Sequence, residues 1–374
     1  MGNKNQENEN MKTPKTQIIN ENSEKFLESY LNNYSPTGYE VEGQKKWLEY
    51  IKPNIDDYIV DAYGSVAAIV NPNADFKVVI EAHADEISWF VSYIAKDGHI
   101  SVIRNGGSDH MIAPSMRVAI HGRNGLVDGI FGWPAIHLRK PGNEEKPALN
   151  NITIDVGCST KEEVLELGIH VGCVVTFKDK MMVLNDKYYV GRALDNRIGG
   201  FAIAEVVRLL KENEVELPFS LYVVNAVQEE VGLRGAQMIV QTIKPDLAIV
   251  TDVCHDTNTP GIKVKENGDF KCGDGPVITY GPAIHHILRD IIIQVAEVED
   301  IPHQLDAVSR VTGTDADAFA YANGGIPTAL ISIPLRYMHT TVETCSKSDL
   351  ENLITLIYET LRSIDPNKSF KYFS

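Results

Sequence analysis

Five separate segments of this 374-residue chain carry a carboxylate or an imidazole at the end of a predicted strand or at the start of a predicted helix. They contain His83 and Asp85 after K-V-V-I-E-A, Glu229 and Glu230 after V-V-N-A-V-Q, Asp252 after L-A-I-V-T, His339 near the end of A-L-I-S-I-P-L-R-Y-M, and Asp195 in G-R-A-L-D. Ligand sites in open α/β sheets lie beyond the carboxyl ends of the strands. We therefore expect these side chains to meet at one edge of a sheet.

Mixed histidine and carboxylate ligands of this kind suit zinc, cobalt or manganese. A site for two metal ions about 3.5–4 Å apart needs roughly four or five such ligands, one of them a bridging carboxylate. Hydrolysis also needs a carboxylate that binds no metal and takes the proton from the attacking water. Glu229 and Glu230 are predicted to divide these jobs, because neighbouring side chains in extended backbone point in opposite directions. In the H-x-D pair, Asp85 is predicted to bond the second ring nitrogen of His83 and fix its tautomer.

Each of these residues also has a simpler structural explanation. Asp195 at a helix start complements the helix dipole, Asp252 is a possible helix cap, and Glu229 and Glu230 are compatible with a solvated loop. Cys254 is a weaker ligand candidate, since buried thiols are more often small hydrophobic groups. Five unrelated structural explanations would have to coincide to produce this pattern. One shared site explains all five segments together.

Composition limits the partners and the compartment. The formal net charge of −16 and the sequence pI of about 5.1 repel phosphate backbones, so nucleic acid is not expected as a partner. No window of about 18 consecutive apolar residues predicts a membrane span, and the N-terminus lacks the apolar core of a secretory signal. Five cysteines without a C-x-x-C pair argue against a disulfide framework. A reducing compartment follows, and we expect a cytoplasmic protein without a membrane partner.

The chain contains two kinds of sequence pattern. Strands are predicted at 77–81, 219–227, 247–252 and 327–333, and helices at 23–34 with Ser23 as cap, 41–51, 161–167, 195–210, 235–243, 284–298, from Thr314–Asp315, and from a Ser346–Asp349 capping box to about 362. This strand–helix alternation implies a largely buried sheet flanked by helices. Between 88 and 186 the segments are short, β-like and glycine-rich, which is typical of a small β-rich domain or barrel.

These patterns predict the domain organisation. Residues 1–20 are expected to be a disordered tail. Residues 21–87 and 187–374 are expected to form one catalytic α/β domain, into which the β-rich domain 88–186 is inserted.

Six ordered motifs resemble one known family. They are E-A-H-A-D-E-I (81–87), V-G-R-A-L-D-N-R-I-G (190–199), V-Q-E-E-V-G-L-R-G-A (227–236), D-V-C-H-D-T-N-T-P-G (252–261), G-T-D-A-D-A (313–318) and R-Y-M-H-T-T-V-E (336–343). Together with the turn S-P-T-G-Y-E (35–40), they are similar to the tetrahedral (TET) two-metal aminopeptidases, a group that includes glutamyl aminopeptidases and proteins labelled endoglucanase M. The likeness extends from about residue 25 to residue 362.

The resemblance implies a role for each site residue. His83 and Asp252 would bind one metal, Glu230 and His339 the other, Asp195 would bridge them, Glu229 would be the general base, and Asp85 would orient His83. The two ions would be divalent, with zinc or cobalt favoured and manganese compatible. The implied reaction is removal of N-terminal residues from short peptides by an activated water.

The resemblance also implies a fold and an assembly. The fold would be an α/β sheet flanked by helices, of the phosphorylase/hydrolase-like, di-zinc exopeptidase type, with an inserted small β-barrel. That barrel would serve dimerisation, and the homodimers would assemble into a hollow tetrahedral dodecamer.

The chain departs from the family pattern at several positions. Asn196 replaces a common second aspartate, Ser88-Trp89 replaces a usual glycine, and T-T-V-E and V-T-G-T-D replace other common runs. None of them removes a predicted ligand or the base, although they bear on metal preference, substrate pocket and rate.

The sequence leaves three alternative functions open. A glycoside hydrolase needs two carboxylates about 5–9.5 Å apart rather than converging histidines, and only three tryptophans are present for sugar stacking. A non-catalytic metal-bound scaffold would have no use for a general base. A different two-metal hydrolase, such as a deacylase or carboxypeptidase, would share the chemistry and differ in substrate.

Overall fold

The computed structural model describes residues 16–140, 142 and 144–373. In that part of the chain the strands are β1 (Asp57–Val60), β2 (Val66–Val70), β3 (Lys77–His83), β4 (Ser88–Ile94), β5 (Ile100–Asn105), β6 (Arg117–Gly122), β7 (Gly125–Gly132), β8 (Thr153–Asp155), β9 (Val174–Phe177), β10 (Met182–Leu184), β11 (Tyr188–Gly191), β12 (Ser220–Ala226), β13 (Leu247–His255), β14 (Val277–Tyr280), β15 (Gln304–Ala307), β16 (Thr328–Leu335) and β17 (Glu343–Ser346). The α-helices are α1 (Glu21–Asn32), α2 (Val41–Ile51), α3 (Lys161–Glu166), α4 (Leu194–Glu212), α5 (Arg234–Ile243), α6 (Val264–Asn267), α7 (His286–Val298), α8 (Ala316–Ala320) and α9 (Lys347–Ser363). No helix among these is both long and apolar enough to cross a membrane.

A mixed eight-stranded sheet with the order β1-β2-β12-β3-β13-β16-β14-β15 forms the centre of the α/β part. Strands β12, β3, β13 and β16 are mutually parallel, whereas β2 and β14 run antiparallel to their inner neighbours. The carboxyl ends of the parallel strands therefore lie along one edge of the sheet. This arrangement confirms the predicted sheet of the α/β fold.

Helices cover both faces of the sheet. On one face α1, α2, α4, α7 and α9 share a core that includes Trp47 and Leu353, and on the other α5 and α8 pack through Ile239 and Phe319. Every residue of Leu194–Leu210 in α4 is buried. Its charged residues Glu205 and Arg208 can be buried because they pair with each other at 2.8 Å. The enclosed helix holds its first residues against the sheet.

Residues 18–20, which the sequence assigned to the tail, contact the α/β part of the chain. Asn20, rather than Ser23, caps α1, because Oδ1 of Asn20 accepts from the backbone N–H of Ser23 at 3.0 Å. The buried Ser23 hydroxyl donates instead to Glu205 at 2.7 Å. Ile19 is buried, and Arg208 donates to the carbonyl of the residue before it at 2.6 Å. Of the predicted tail over 1–20, residues 1–15 lie outside the described residues, and these contacts fix its last residues.

The predicted capping box of the last helix is wrong. Ser346 precedes α9 but makes no side-chain capping hydrogen bond. The Asp349 carboxylate instead accepts from the backbone N–H groups of Gly273 and Gly275 at 2.7 and 2.9 Å. A long-range contact has replaced the local one.

Six strands close into a barrel in the order β4-β5-β8-β7-β6-β9, with an apolar core that includes Trp89, Phe131 and Val175. The barrel follows β3 in the chain, as the predicted insertion of a small β-barrel requires, and its last strand ends at Phe177. Strands β10 and β11 pair with each other and with β17 in a separate three-stranded sheet. Residues 182–184 therefore lie outside the barrel, because they form a hairpin with β11.

Candidate metal centre

The predicted site residues lie together at one edge of the sheet. His83 is the last residue of β3 and is in register with Ala226, the last residue of β12. Asp252 lies within the C-terminal half of β13, and His339 follows β16 in a loop with a left-handed backbone, φ 62°. Asp195 lies at the start of α4, where its backbone is not helical. Two strands, one helix and a loop therefore deliver these four side chains to one place.

Glu229 and Glu230 lie on a 3-10 turn, so the prediction of extended backbone was wrong. Gln228 before them is left-handed, with φ 56° and ψ 35°, a conformation that costs a non-glycine residue about 1 kcal/mol. Its N–H is held by Oε1 of Glu40 at 3.2 Å. The Asp85 carboxylate accepts from the N–H groups of Glu229 and Glu230 at 3.0 and 3.2 Å. These long-range hydrogen bonds, rather than a strand pleat, direct the two glutamates to different histidines.

One group of ligand atoms forms around His83. Its Nε2 lies 3.1 Å from Oδ1 of Asp195 and 3.7 Å from Oδ1 of Asp252, and all three residues are buried. Their ligand atoms lie within 4.8 Å of one another. Oε2 of Glu229 is 3.9 Å from the same nitrogen but is not part of the group. Cys254 belongs neither to this group of ligand atoms nor to the second group described next.

A second group shares Asp195 with the first. Oδ2 of Asp195 lies 3.2 Å from Nε2 of His339, and Oε1 of Glu230 lies 3.4 Å from that nitrogen. The Nδ1 atom of His339 is 3.3 Å from the carbonyl of Gly107, so an N–H at Nδ1 leaves Nε2 free to bind a metal. Because Asp195 offers one oxygen to each group, its geometry is that of a bridging carboxylate.

The charges of the two groups call for cations. Burial raises the pKa of Glu229 to about 10, with His83 opposing it, and raises that of Asp252 to about 7. For Asp195 the effect of burial is outweighed by hydrogen bonds from His339 and His83, which lower its pKa. Within the described ranges, none of these carboxylates pairs with a lysine or arginine. Buried carboxylates without such partners are unfavourable unless they are protonated or metal-bound, so the donor set fits two divalent ions.

Asp85 connects the two sides of the centre. It is fully buried, and besides the N–H groups of the glutamate turn it accepts from the Thr37 hydroxyl at 2.9 Å. Its Oδ1 lies 3.4 Å from Nδ1 of His83. One side chain therefore orients the ring of one predicted ligand and the backbone of another, Glu230.

We expect Asp85→Ala to lower the affinity for divalent metal about 10- to 100-fold, the usual cost of removing a group that orients a ligand. Asp85→Asn keeps one acceptor oxygen and should give an intermediate loss. The measurement is metal affinity by isothermal titration calorimetry, with the exposed Asp57→Asn as a matched surface control. Unchanged affinity in a folded Asp85→Ala protein would contradict the orienting role.

Glu343 is a site residue to which the sequence reasoning gave no role. It is buried, with Oε1 accepting from the N–H of His339 at 2.7 Å and Oε2 accepting from the N–H of Asp195 at 3.2 Å. It therefore links the backbones of residues from both ligand groups. Its only signal in the sequence was its place at the end of R-Y-M-H-T-T-V-E.

Gly107 and the turn 35–40 were also missed. A Cβ at Gly107 would lie 2.5 Å from the His339 ring, so the barrel loop approaches the centre only because this residue is glycine. The turn supplies Thr37 and Glu40, which hold Asp85 and Gln228 respectively. The motif S-P-T-G-Y-E had signalled this turn without assigning it a function.

The departures at 196 and 88 have local hydrogen-bond partners. The Asn196 amide donates to the carbonyl of Thr251 at 2.7 Å, and its oxygen accepts from the N–H of Gly199 at 3.2 Å. An ionised aspartate could not make the first of these bonds. The Ser88 hydroxyl accepts from Asn105 at 2.8 Å. Both changes are built into the hydrogen bonding around the centre and leave the predicted ligands in position.

A cavity of about 720 Å³ opens onto the centre. Asp195, Glu229, Glu230, Asp252 and His339 all line it. A larger groove of about 1050 Å³ beside the C-terminal residues contains none of them. Of these two cavities, the one of 720 Å³ is therefore the one that the predicted ligands and the predicted base line.

Comparison with known proteins identifies the family. Residues 64–356 match the M42 glutamyl aminopeptidase family model. The chain is 32% identical to lysyl aminopeptidase of Pyrococcus furiosus over 346 residues, which are 91% of this chain and 97% of that protein. It also resembles the TET aminopeptidase of a marine sediment archaeon of the Thaumarchaeota, with a TM-score of 0.87, 32% identity, and coverage of 92% of this chain and 97% of that one.

The Pyrococcus horikoshii TET1 peptidase, which can assemble into a tetrahedron or a large octahedral shell, is similar with a TM-score of 0.78 and 29% identity over 90% of this chain and 98% of its own. The M42 aminopeptidases depend on metal ions, in agreement with the two ligand groups described above. The chain belongs to the M42 family and is a peptidase, a hydrolase of peptide bonds.

Proposed function

We propose that the chain is an aminopeptidase that removes N-terminal residues from short peptides with two divalent ions bound per chain. His83 and Asp252 would hold one ion, Glu230 and His339 the other, and Asp195 both. The observation that carries this proposal is the position of Asp195, whose two carboxylate oxygens lie 3.1 and 3.2 Å from Nε2 atoms of different histidines. Zinc or cobalt is favoured, and manganese is compatible with the same ligands.

Each residue has a separate task in this proposal. Bound ions would supply Lewis-acid polarisation of the substrate carbonyl and a lowered pKa for water. The positive charge of bound ions would lower the raised pKa of Glu229, which is near His83 but outside the ligand groups. As a carboxylate, Glu229 takes one proton from the attacking water and returns it to the leaving amine as the C–N bond breaks. Asp85 keeps Glu229 in place through its backbone N–H. The cavity beside Glu229 receives the peptide.

The test is hydrolysis of free-amine aminoacyl-p-nitroanilides by protein loaded with zinc, cobalt or manganese, with and without a chelator. We expect metal-dependent release from one or a few aminoacyl groups, and none from the N-acetylated forms. Release from blocked substrates would indicate a deacylase or another two-metal hydrolase. Activity that survives the chelator would favour a glycosidase-type mechanism, and inactivity with two ions bound would favour a scaffold.

We further propose a homo-oligomer in which the barrel, predicted as the dimerisation domain, pairs two chains and the dimers form a tetrahedral dodecamer. The TET1 peptidase of P. horikoshii assembles into closed shells. The outer surface of the barrel exposes Leu126 and Ile130 on β7, by 58% and 49%. Pairing of two barrels through β7 would cover these two side chains.

A cytoplasmic location remains part of the proposal. All five cysteines are free, and Cys173, Cys272 and Cys345 are buried thiols. Free thiols are typical of reducing compartments, whereas secreted proteins pair them.

A further inference from the structure

The groove of about 1050 Å³ lies at the edge of the sheet opposite the metal centre. Phe76, Asp246 and Pro327 line it, and they directly precede β3, β13 and β16, which are parallel strands. His83 is at the other end of β3, which is seven residues or about 20 Å long. None of the described residues lines both this groove and the cavity at the metal centre. The groove is therefore a separate surface.

The groove carries positive charge on a chain whose net charge is −16. Lys244, Lys368 and Lys371 line it, and Asp246 is the only acidic residue among the described residues that do so. The Asp246 carboxylate already accepts from the N–H of Lys77 at 2.8 Å. Lys244 and Lys368 are exposed, and neither forms a salt bridge in the described part of the chain. Their ammonium groups are therefore available to carboxylates from another molecule.

Aromatic side chains line the same groove. Tyr321 and Tyr372 are each more than half exposed, Phe373 is fully exposed, and Phe370 is half-buried. Aromatic residues are enriched in protein interfaces relative to the rest of the surface. Several of them exposed around one groove mark an interaction site, whereas apolar side chains that are exposed singly need no such explanation.

Contacts with α7 hold the C-terminal wall of the groove in place. The ring of Tyr372 stacks on that of His285, with centroids 4.4 Å apart and an angle of 3° between the planes. The Tyr372 hydroxyl accepts from the N–H of His286, the first residue of α7, at 3.1 Å. The N–H of His285 donates to the carbonyl of Thr328 at 2.8 Å, which connects this wall to the start of β16. A groove whose walls are already held in place loses less conformational entropy on binding.

The charge of the groove favours an acidic peptide as its occupant. A polynucleotide would extend beyond the groove over a chain of net charge −16, which repels phosphates. A basic peptide would bring like charges to Lys244 and Lys368. A short acidic segment instead places its carboxylates at these lysines and its apolar side chains against the aromatic walls.

We propose that this groove docks a segment of a partner protein that combines acidic residues with large apolar ones. Lys244 and Lys368 pair with its carboxylates, and Tyr321 and Tyr372 contact its apolar side chains. The proposal does not depend on the aminopeptidase function, because the groove is separate from the metal centre.

The test measures binding of labelled peptides by fluorescence anisotropy. The probe is a short peptide of glutamate and aspartate with one phenylalanine and one leucine, and an N-terminal fluorescein blocks its α-amine. One control peptide has lysine in place of every acidic residue, and the other has alanine in place of the two apolar residues. We expect the probe to bind about tenfold more tightly than either control, and its affinity to fall as salt screens the exposed charges.

Variants test whether binding occurs in the groove. Lys244→Glu combined with Lys368→Glu should weaken binding of the probe about tenfold, because it replaces two attractions with two repulsions. Tyr321→Ala should weaken it separately. Lys161→Glu is the matched control, since Lys161 is also exposed and without a salt bridge in the described part of the chain, but lies on α3. Equal affinity for all three peptides, no binding of the probe, or equal affinity in the double variant and Lys161→Glu would each overturn the proposal.

Two further measurements identify other occupants. Analytical ultracentrifugation compares the oligomeric state of the wild type with that of the double variant, and we expect no difference. A smaller assembly in the double variant, together with a wild type that binds no probe, would assign the groove to a contact between copies of this chain. Tighter binding of a labelled single-stranded oligonucleotide than of the probe would assign it to nucleic acid. Either result overturns the docking of an acidic peptide.

Discussion

Glu229→Gln is expected to lower kcat by on the order of 10³-fold, within the range of a lost general base, while the protein still binds two metal ions per chain. Glutamine has the same shape but cannot accept a proton from water at neutral pH. The turn should keep its conformation, because Asp85 holds it through the backbone N–H of residue 229, at 3.0 Å. The measurements are steady-state kinetics with the best p-nitroanilide and metal content by mass spectrometry.

The neighbouring residue offers a control that differs only in position. Glu230 lies in the ligand group of His339 and Asp195, whereas Glu229 lies in neither group. Glu230→Gln should therefore lose metal from one site together with activity. Full turnover by Glu229→Gln with both ions retained would rule out its role as base. Loss of metal from Glu229→Gln would instead make it a ligand.

Local sequence patterns predicted the elements that carry the site. The apolar runs before His83 and Asp252 specify buried parallel strands, whose carboxyl ends meet at one edge. The short glycine-rich segments after Asp85 predicted a barrel, and six strands close one. These features depend on periodicity and composition, which can be read from a local stretch of sequence.

The fine positioning was not predictable, because it depends on contacts between distant residues. Gln228 is left-handed under a hydrogen bond to Glu40, which is 188 residues away. The ring of His339 lies 3.3 Å from the carbonyl of Gly107, which is 232 residues away. The register between such segments is set by tertiary packing, and no local pattern encodes it. The extended-backbone argument for Glu229 and Glu230 failed for this reason.

Contacts between distant residues also explain why the two predicted helix caps are wrong. Ser23 and Asp349 have the side chains that local capping uses. In the fold, however, Ser23 reaches Glu205 and Asp349 reaches the loop at Gly273. A buried polar side chain takes the partner that leaves the fewest unsatisfied groups, and that partner depends on the whole fold.

Metal binding is expected to become tighter as the pH rises from 6 to 8. Without metal, burial raises the pKa of Asp252 to about 7. For His339 burial is opposed by the hydrogen bonds that its ring donates to the carboxylates of Asp195 and Glu230, which raise its pKa to about 11. Both groups must lose their protons to bind a metal. Each proton released per ion makes the apparent affinity about tenfold stronger per pH unit.

The metal-free protein becomes less stable as the pH rises, whereas its affinity for metal increases. For a group whose pKa is raised in the folded state, the stabilising contribution is complete below the pKa of the unfolded chain and is lost as the pH rises through the folded value. For Asp252 this window runs from 3.8 to about 7, and for His339 from 6.5 to about 11. The metal-free protein therefore loses stability between pH 6 and 8, where the metal-bound protein gains ligand affinity.

The difference in Tm between metal-loaded and chelator-treated protein should consequently widen from pH 6 to pH 8. Calorimetric titrations in buffers of different ionisation enthalpy should also detect proton release on binding. In Asp252→Asn the amide has no proton to release, so fewer protons should leave per ion. A Tm difference that stays constant over this pH range, together with binding that releases no protons, would mean that the buried cluster is already ionised without metal. The charge argument for two ions at His83, Asp195 and His339 would then fail.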